Sequence, residues 1–344
     1  RNFSPVCFNK AGRYWTWLAD DDAHRPRTRR AYPRELYRGS RQRLYDVCAI
    51  AQIMRLIILY NPVSGRGRAC SMAYAIAEQF TKSPCDVEMI ATQLSDPRKW
   101  LKPKLECAPD AVIVVGGDGT LRQVVSVLVG TTIPVYHSGS GTENLFAKSM
   151  NTNNASPESV VESAMQGASV AIDTATANGE FMLLMASVGF DAAVVTDLAN
   201  NRGSSITHFS YIIPCVRQLL KWSPPQVSIN VDGEEIVQNE IGWAVIANSK
   251  QYARGLNPAR NANITDGKLD VVFLPLKGRL SLLKWIRLMH RGTHLHHPDV
   301  VYATGENISV FTKNPAPWQL DGDGIGDASK MKLACVQNSL RVLH

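Results

Sequence analysis

The sequence predicts an α/β domain followed by an all-β domain. Two short apolar runs, residues 56–60 and 111–115, each lead through a glycine-containing loop into a helix pattern. Continuous apolar runs of this length are typical of parallel strands that are covered on both faces. In the second half, residues 226–231 and 240–247 flank an Asp-Gly turn signal. Apolar segments around such a turn are typical of antiparallel strands.

The composition is that of a globular chain whose charge is unevenly distributed. Hydrophobic residues make up 45% of the 344 residues, and the part after residue 53 is long enough for two domains. The formal net charge is +7, but residues 1–53 carry 11 Lys and Arg against 5 Asp and Glu. Residues 54–344 are therefore nearly neutral, and we expect no nucleic-acid partner. Residues 1–53 are expected to be a basic extension that is disordered or foreign to the native protein.

The loop after the strand at residues 111–115 reads GGDGT and contains the most informative motif. Gly116, Gly117 and Gly119 let a ligand approach the backbone closely. The helix that follows aims its N-terminal N–H groups at that ligand, which favours phosphate. Thr120 adds a hydroxyl donor, and Asp118 can orient Mg²⁺ or accept a proton. The motif indicates phosphoryl transfer, whereas a tight turn with a solvated Asp is the alternative for the motif alone.

A second loop follows the strand at residues 56–60 and reads NPVSG. The side chains of Asn61 and Ser64 can bond phosphate or ribose oxygens, and Gly65 again opens the backbone. A helix is expected at about residues 69–81. Ligands of open α/β sheets bind at the carboxyl ends of the strands, so this loop and GGDGT are expected at one site. An ordinary turn is the alternative for this loop alone.

A third glycine-containing loop, residues 138–147, reads SGSGTENLFA and follows a short strand expected at residues 133–136. Thr142, Glu143 and Asn144 offer polar contacts to a nucleotide. A flexible connection is the alternative for this segment alone.

In this order, the three loops resemble those of the diacylglycerol kinase and sphingosine kinase catalytic-domain family, lipid kinases of the bacterial type. The second half continues the similarity. Residues 186–191 (ASVGFD), 247–271 and 320–323 (LDGD) resemble further motifs of that family. The resemblance covers about residues 54–344.

The resemblance implies a fold, two cofactors and a substrate class. The expected fold has a Rossmann-like, phosphofructokinase-type nucleotide-binding domain over residues 54–147 and a β-sandwich lipid-substrate domain over residues 148–330. The last strand, at about residues 331–343, is expected to return to the first domain. The expected cofactors are ATP and Mg²⁺. The expected substrate is a lipid alcohol at a membrane surface, such as diacylglycerol or a sphingoid base.

Phosphorylation of an alcohol requires an aligned γ-phosphate and removal of the hydroxyl proton. By resemblance we expect Asp323 to be the base and Asp118 its essential partner, but coupled carboxylates leave the individual assignment open. The alternative interpretation is that Asp321 and Asp323 only form a polar turn. The expected nucleotide contacts are Asn61, Ser64, Gly65, Thr92, Gly116, Gly117, Gly119, Thr120, Thr142 and Glu143.

Two aspartates are expected to bind metal. Asp118 is one, and Asp266 is the other, because its surroundings resemble a region where bacterial members bind a structural Mg²⁺ through oxygen ligands. A β-turn Asp-Gly is an equally good interpretation of Asp266. The cluster His290, His294, His296 and His297 has no nearby Cys, and a metal site there is the less favoured interpretation.

The chain departs from the family pattern at several positions. Gln123 stands where the family often has Glu, and Glu143 and Leu145 replace Gly and Asp in the third loop. The last motif is DGD where the family has DGE. These changes leave metal number and lipid choice open. They also keep two other functions open: phosphorylation of a soluble alcohol, as in NAD kinases, which share GGDGT, and a non-catalytic lipid or nucleotide sensor.

Several observations bear on the cellular location of the protein and on its contact with membranes. Seven scattered cysteines without metal-binding spacing are typical of reduced thiols in a cytoplasmic enzyme. No apolar run approaches 18 residues, so no transmembrane segment is expected. Residues 280–289 are a candidate for peripheral membrane contact, and residues 206–222 are a candidate for a lipid pocket or a membrane face. For each of them, packing on the protein core is the favoured alternative, and for residues 280–289 the membrane interpretation would direct Trp285 into the lipid interface. A homodimer would be unsurprising, but only by analogy, and the sequence leaves the oligomeric state open.

Overall fold

The computed structural model describes residues 53–200, Pro214, Arg217, Gln218 and residues 223–344. The predicted basic extension, except its last residue, and nearly all of the candidate segment 206–222 lie outside the described residues.

The first part of the described chain is a parallel sheet flanked by helices. Its strands lie in the order β2-β1-β3-β4, and every pairing between them is parallel. All six residues of β3 are buried, as the apolar run predicted for a central strand. The strands are β1 (Met54–Tyr60), β2 (Cys85–Ala91), β3 (Ala111–Gly116) and β4 (Val135–Gly139). The helices are α1 (Arg68–Phe80), α2 (Pro97–Trp100), α3 (Lys102–Leu105), α4 (Asp118–Leu128), α5 (Leu145–Ser149) and α6 (Pro157–Gln166).

The strand expected at residues 133–136 begins later than predicted and extends further, as β4. The carbonyl of Pro134 accepts a hydrogen bond from Val112 N–H. A proline has no N–H of its own to donate to a sheet, so the regular ladder starts after it.

The second part is antiparallel. Between β8 and β9, Asp232 and Gly233 have positive φ values of 50° and 91°. These two residues form the predicted tight turn. β9 starts six residues before the predicted boundary. The strands are β5 (Ser169–Ala177), β6 (Glu180–Met182), β7 (Met185–Val188), β8 (Gln226–Val231), β9 (Glu234–Ala247), β10 (Leu269–Pro275), β11 (Val301–Gly305), β12 (Asn307–Leu320) and β13 (Asp323–Leu343). The helices are α7 (Phe190–Asn200) and α8 (Arg279–Arg291).

Strand β13 connects the two parts. It pairs in antiparallel fashion with β12 and β5, and near its end Val342 pairs in parallel with Val135 of β4. The sheet is therefore continuous, in the order β11-β10-β9-β7-β12-β13-β4-β3-β1-β2. The hairpin that carries Asp323 and the strands that carry the glycine loops consequently belong to one framework.

One hydrophobic core is shared by helices from both parts. It includes Leu121 of α4, Phe190 of α7 and Trp285 of α8. Trp285 is 1% exposed, and its indole N–H donates to the carbonyl of Pro275 over 2.8 Å. The idea that Trp285 enters a membrane is therefore wrong, because the inward face of α8 packs on the core.

Candidate active site

Three loops meet at the carboxyl ends of β1, β3 and β4. The side-chain amide of Asn61, after β1, donates to Thr120 Oγ1 over 3.0 Å. The backbone N–H of Ser140, after β4, donates to the carbonyl of Gly116 over 2.8 Å. The NPVSG, GGDGT and third loops thus form one surface, as the sequence predicted for strand ends in an α/β sheet.

Glycine is required where the loops touch. A Cβ on Gly65, whose φ is +58°, would collide with the carbonyl oxygen of Ser140. A Cβ on Gly141 would lie 2.7 Å from the Cα of Gly117. Real Cβ atoms do not approach backbone so closely, and the loops could not close if either glycine carried a side chain. Ser64 is part of the same contact, because its Oγ would lie 3.9 Å from a Cβ on Gly117.

Asp118 anchors the third loop. Its two carboxylate oxygens accept hydrogen bonds from the backbone N–H groups of Leu145 and Phe146, each over 2.9 Å. A carboxylate at the first N–H groups of a helix is stabilised by those donors and by the helix dipole. Asn144 assists, since its side-chain oxygen accepts from Gly141 N–H over 2.7 Å. Asp118 therefore fixes the position of α5 relative to the GGDGT loop.

His137 of β4 contacts the GGDGT loop, and it was not predicted from the sequence as a site residue. It is 1% exposed, and its Nε2 donates to the carbonyl of Gly116 over 3.2 Å. Burial lowers the pKa of His137, which keeps the imidazole neutral. His137 lies within a mostly apolar strand, and the pattern of apolar residues in a strand does not indicate which backbone groups a buried side chain will contact.

Asp323 reaches this surface from the second part of the molecule. Its Oδ2 would lie 3.6 Å from a Cβ on Gly119, at the N-terminus of α4. The same oxygen pairs with Arg122 Nη2 over 2.7 Å, and the Asp323 side chain is 40% exposed. Arg122 is a site residue that sequence reasoning missed, although its place one helical turn after Asp118 could have indicated it.

The other acid of the DGD motif has a different environment. Asp321 accepts hydrogen bonds from the backbone N–H groups of Leu183, Leu184 and Met185, at 2.8 to 3.0 Å. Burial raises the pKa of Asp321, although these donors and Arg122 oppose the rise. Asp321 thus anchors the hairpin, whereas Asp323 points to the glycine loops.

A buried polar network lies behind the hairpin. Gln319 is 2% exposed, and its side-chain oxygen accepts from Gly322 N–H over 2.8 Å. Its Nε2 donates to Ser187 Oγ over 2.9 Å, and Ser187 in turn donates to Asp191. Tyr252 also donates to Asp191, over 2.6 Å. Burial raises the pKa of Asp191. The ASVGFD motif therefore supports the turn that carries Asp323.

The remaining predicted nucleotide contacts lie around the cluster. Thr92 follows β2, and its backbone N–H donates to the carbonyl of Tyr60 over 2.9 Å. Thr142 and Glu143 are in the third loop, where Glu143 pairs with Lys148 over 3.4 Å. Gln123 lies on α4 and donates to the carbonyl of Gln93 over 2.8 Å, which links α4 to the loop after β2.

Asp266 lies elsewhere. Its Oδ1 accepts from Lys268 N–H over 3.0 Å, and the next residue, Gly267, donates its N–H to Asp173 over 2.7 Å. The side chain therefore closes a turn between strands, and none of these contacts involves Asp118 or Asp323. Among the described residues, no group of three or more His, Cys, Asp and Glu could hold a metal ion. Within the histidine cluster near residue 294, His294 also makes a structural contact. It is buried and bonds to the carbonyl of Pro258.

The fold and the site define a kinase: a parallel α/β part with a phosphate-type glycine loop, completed by an acid from a β-sandwich-like part. A family model for the diacylglycerol kinase catalytic domain matches residues 55–177. A model for the YegS C-terminal NAD kinase beta sandwich-like domain matches residues 185–344. The chain belongs to the diacylglycerol kinase family, which confirms both the family resemblance seen in the sequence and the expected class of enzyme, a kinase.

Curated relatives carry the same description at modest identity. The chain is 28% identical over 265 residues to a diacylglycerol kinase of Mycobacterium tuberculosis, covering 75% of this chain and 85% of the relative. It is 22% identical over 277 residues to a diacylglycerol kinase of Bacillus subtilis, covering 78% and 89% of the two chains.

Solved structures share the fold. A crystal structure of a diacylglycerol kinase from Bacillus anthracis matches with a TM-score of 0.64 at 18% identity, covering 85% of this chain and 96% of that one. The likeness confirms a mixed α/β part followed by a β-sandwich-like part. In the part of the chain that the structure describes, no helix combines the length and apolar character needed to cross a bilayer.

Proposed function

We propose that this chain is an ATP-dependent lipid kinase that transfers the γ-phosphate to a hydroxyl of a lipid such as diacylglycerol or a sphingoid base. The observation that carries the proposal is the approach of Asp323 to Gly119 at the start of α4. A helix N-terminus favours phosphate, so a general base candidate lies beside the expected position of the phosphoryl group.

The residues of the cleft have separate roles in this proposal. The backbone N–H groups of the first turn of α4 have no partner within the helix and would bind phosphate oxygens. Thr120 and Ser64 would add hydroxyl donors. The loop after β4, held by Asp118, would close over the nucleotide with Thr142 and Glu143. We further propose that the nucleotide-binding part, residues 54–147, is Rossmann-like and of the phosphofructokinase type, and that residues 148–330 hold the lipid.

The proposed chemical step is an in-line displacement. The lipid hydroxyl oxygen forms a bond to the γ-phosphorus while its proton moves to the Asp323 carboxylate. The bond between the γ-phosphorus and the bridging oxygen breaks, and its electron pair leaves with ADP. Arg122 orients Asp323 through their ion pair and places positive charge beside the transferring group.

Mg²⁺ suits this cleft only as an ion that arrives with the nucleotide. Both oxygens of Asp118 already accept backbone hydrogen bonds, but a carboxylate has further lone pairs. Mg²⁺ typically uses one or two carboxylates together with substrate phosphates. Asp118 would hold the ion, which would neutralise phosphate charge. A structural Mg²⁺ at Asp266 stays a prediction.

A second candidate function is phosphorylation of a soluble alcohol such as NAD. It is favoured by one specific observation, that the model matching residues 185–344 describes an NAD kinase-like sandwich. The NPVSG loop and the late DGD motif support the lipid substrate instead.

The experiment offers the full chain γ-labelled ATP and Mg²⁺ with diacylglycerol, sphingosine and NAD, the lipids in mixed micelles. We expect label in a lipid product. Label in NAD alone would replace the proposal by the second candidate. Bound ATP without transfer to any acceptor would contradict both and favour a sensor.

A further inference from the structure

Helix α8 presents one outward face with a distinct pattern. Leu280 is 80% exposed and Leu283 is 49% exposed, whereas most large apolar side chains of the described chain are buried. Lys284, Arg287 and Arg291 continue the same face at helical spacing, and all three are exposed. The opposite face of α8 is packed in the core through Leu282, Trp285 and Met289. The outward stripe is therefore a feature of a helix that is firmly held.

The charge around this helix differs from that of the rest of the chain. Residues 277–298 contain five Lys and Arg and no Asp or Glu, although residues 54–344 as a whole carry 26 basic against 25 acidic residues. The one acidic side chain that faces the stripe in a described ion pair is Asp299, 3.8 Å from Lys284. Arg287 and Arg291 add positive charge beyond that pair.

Helix α8 shares its hydrophobic core with helices that lie next to the proposed catalytic residues. Helix α4, which starts at the GGDGT loop, helix α7, which contacts the Asp323 strand, and α8 all bury their inner faces in one hydrophobic core. Gly324, next to Asp323, is close to Thr196 of α7. Helix α8 is therefore packed in the same core as the helices that border the GGDGT loop and the Asp323 strand.

We propose that the outward face of α8, made of Leu280, Leu283, Lys284, Arg287 and Arg291, docks on an anionic lipid bilayer. Two exposed leucines at the start of the helix enter the acyl boundary, and the cations along it bind lipid headgroups. An interfacial helix needs this combination of apolar area and positive charge. The inference rests on the proposed lipid kinase function, because it supplies the surface on which a membrane-dissolved substrate would be met.

The test measures partition of the full chain onto vesicles without ATP or lipid substrate. We expect binding to phosphatidylcholine vesicles that contain phosphatidylglycerol, and weaker binding as salt is raised. A double variant, Arg287→Gln with Arg291→Gln, is expected to weaken this binding by about 25-fold, from about fivefold per cation. A second double variant, Leu280→Gln with Leu283→Gln, is expected to weaken it by about tenfold or more.

Lys313→Gln with Lys332→Gln is the matched control, because both lysines are exposed on the sandwich strands and the charge change is the same. Thermal unfolding followed by circular dichroism verifies that all variants fold. Binding of the control that equals that of the unaltered chain, with loss in the two α8 variants, would support the proposal. Equal binding by all variants, or no binding of the unaltered chain to anionic vesicles, would overturn it.

Kinase activity on dissolved and on vesicle-bound substrate distinguishes a failure of the docking surface from a failure of the kinase proposal. On a short-chain diacylglycerol dissolved below its micelle concentration, the α8 variants are expected to match the unaltered chain, while they lose turnover on vesicle-bound substrate. An equal loss on the dissolved substrate would contradict the docking role, because it would place these residues in the cleft. If no lipid is phosphorylated by any form, the kinase proposal fails, and vesicle binding still decides the docking surface.

Discussion

Asp118 and Asp323 are both acids of conspicuous motifs, but their carboxylates have different partners. Asp118 accepts two backbone hydrogen bonds that hold α5, whereas Asp323 is partly exposed and pairs with Arg122. The family resemblance implied that both lie at one site, because the glycine loop and the late acidic turn match motifs of that family. It could not predict the division of roles, because that depends on which N–H groups the fold brings within reach.

The first prediction concerns the stability of these two variants. Asp118→Asn is expected to lower the free energy of unfolding by ~1–3 kcal/mol, because an amide leaves one buried backbone N–H without an acceptor. Asp323→Asn is expected to change it by less than ~1 kcal/mol, since the Asp323 side chain is 40% exposed and a partly exposed ion pair contributes little. Urea denaturation measures both. Equal destabilisation would contradict the anchoring role of Asp118.

At the scale of elements, the hairpin between β12 and β13 explains how an acid from the second part reaches the first. Asp321 and Gly322 have φ of 50° and 87°, so the turn is tight, and Gln319 holds it from behind. For the DGD motif, the family resemblance implied a functional acid, and a polar turn was the alternative. The supporting residues Gln319 and Tyr252 lie 67 positions apart along the chain, and no local pattern joins positions so distant.

A prediction follows for Gln319→Leu. The variant leaves Gly322 N–H without its acceptor and removes the donor to Ser187 Oγ, which should cost ~1–3 kcal/mol of stability. Because the turn then positions Asp323 less well, kcat should fall about tenfold or more while the KM for ATP stays unchanged. Steady-state kinetics with ATP and the lipid acceptor measures both.

Thr174→Val is the matched control, because it removes the buried hydrogen bond between Thr174 and Ser339 at 2.9 Å, away from the hairpin. It is expected to lose similar stability with kcat retained. Equal loss of kcat in the two variants would show that general destabilisation, and not the position of the turn, limits turnover.

For the whole molecule, the decisive feature is the continuous sheet. Local patterns predicted parallel strands in the first part and antiparallel strands in the second, because burial and turn chemistry are local properties. The pairing of Val342 with Val135 is not local. It makes β13 a member of both parts, so the strand that begins with Asp323 ends beside the strand that leads into the third loop.

The central claim is that the cleft between the GGDGT loop and Asp323 transfers phosphate to a lipid alcohol. The measurement is γ-phosphate transfer from ATP to diacylglycerol in mixed micelles by the unaltered chain, Asp323→Asn and Asp327→Asn. Asp327 is an exposed acid on the same strand and serves as the control. We predict a loss of about 10²–10⁴-fold in kcat for Asp323→Asn and normal turnover for Asp327→Asn. Full activity of Asp323→Asn, or no transfer to lipid by the unaltered chain, would contradict the account.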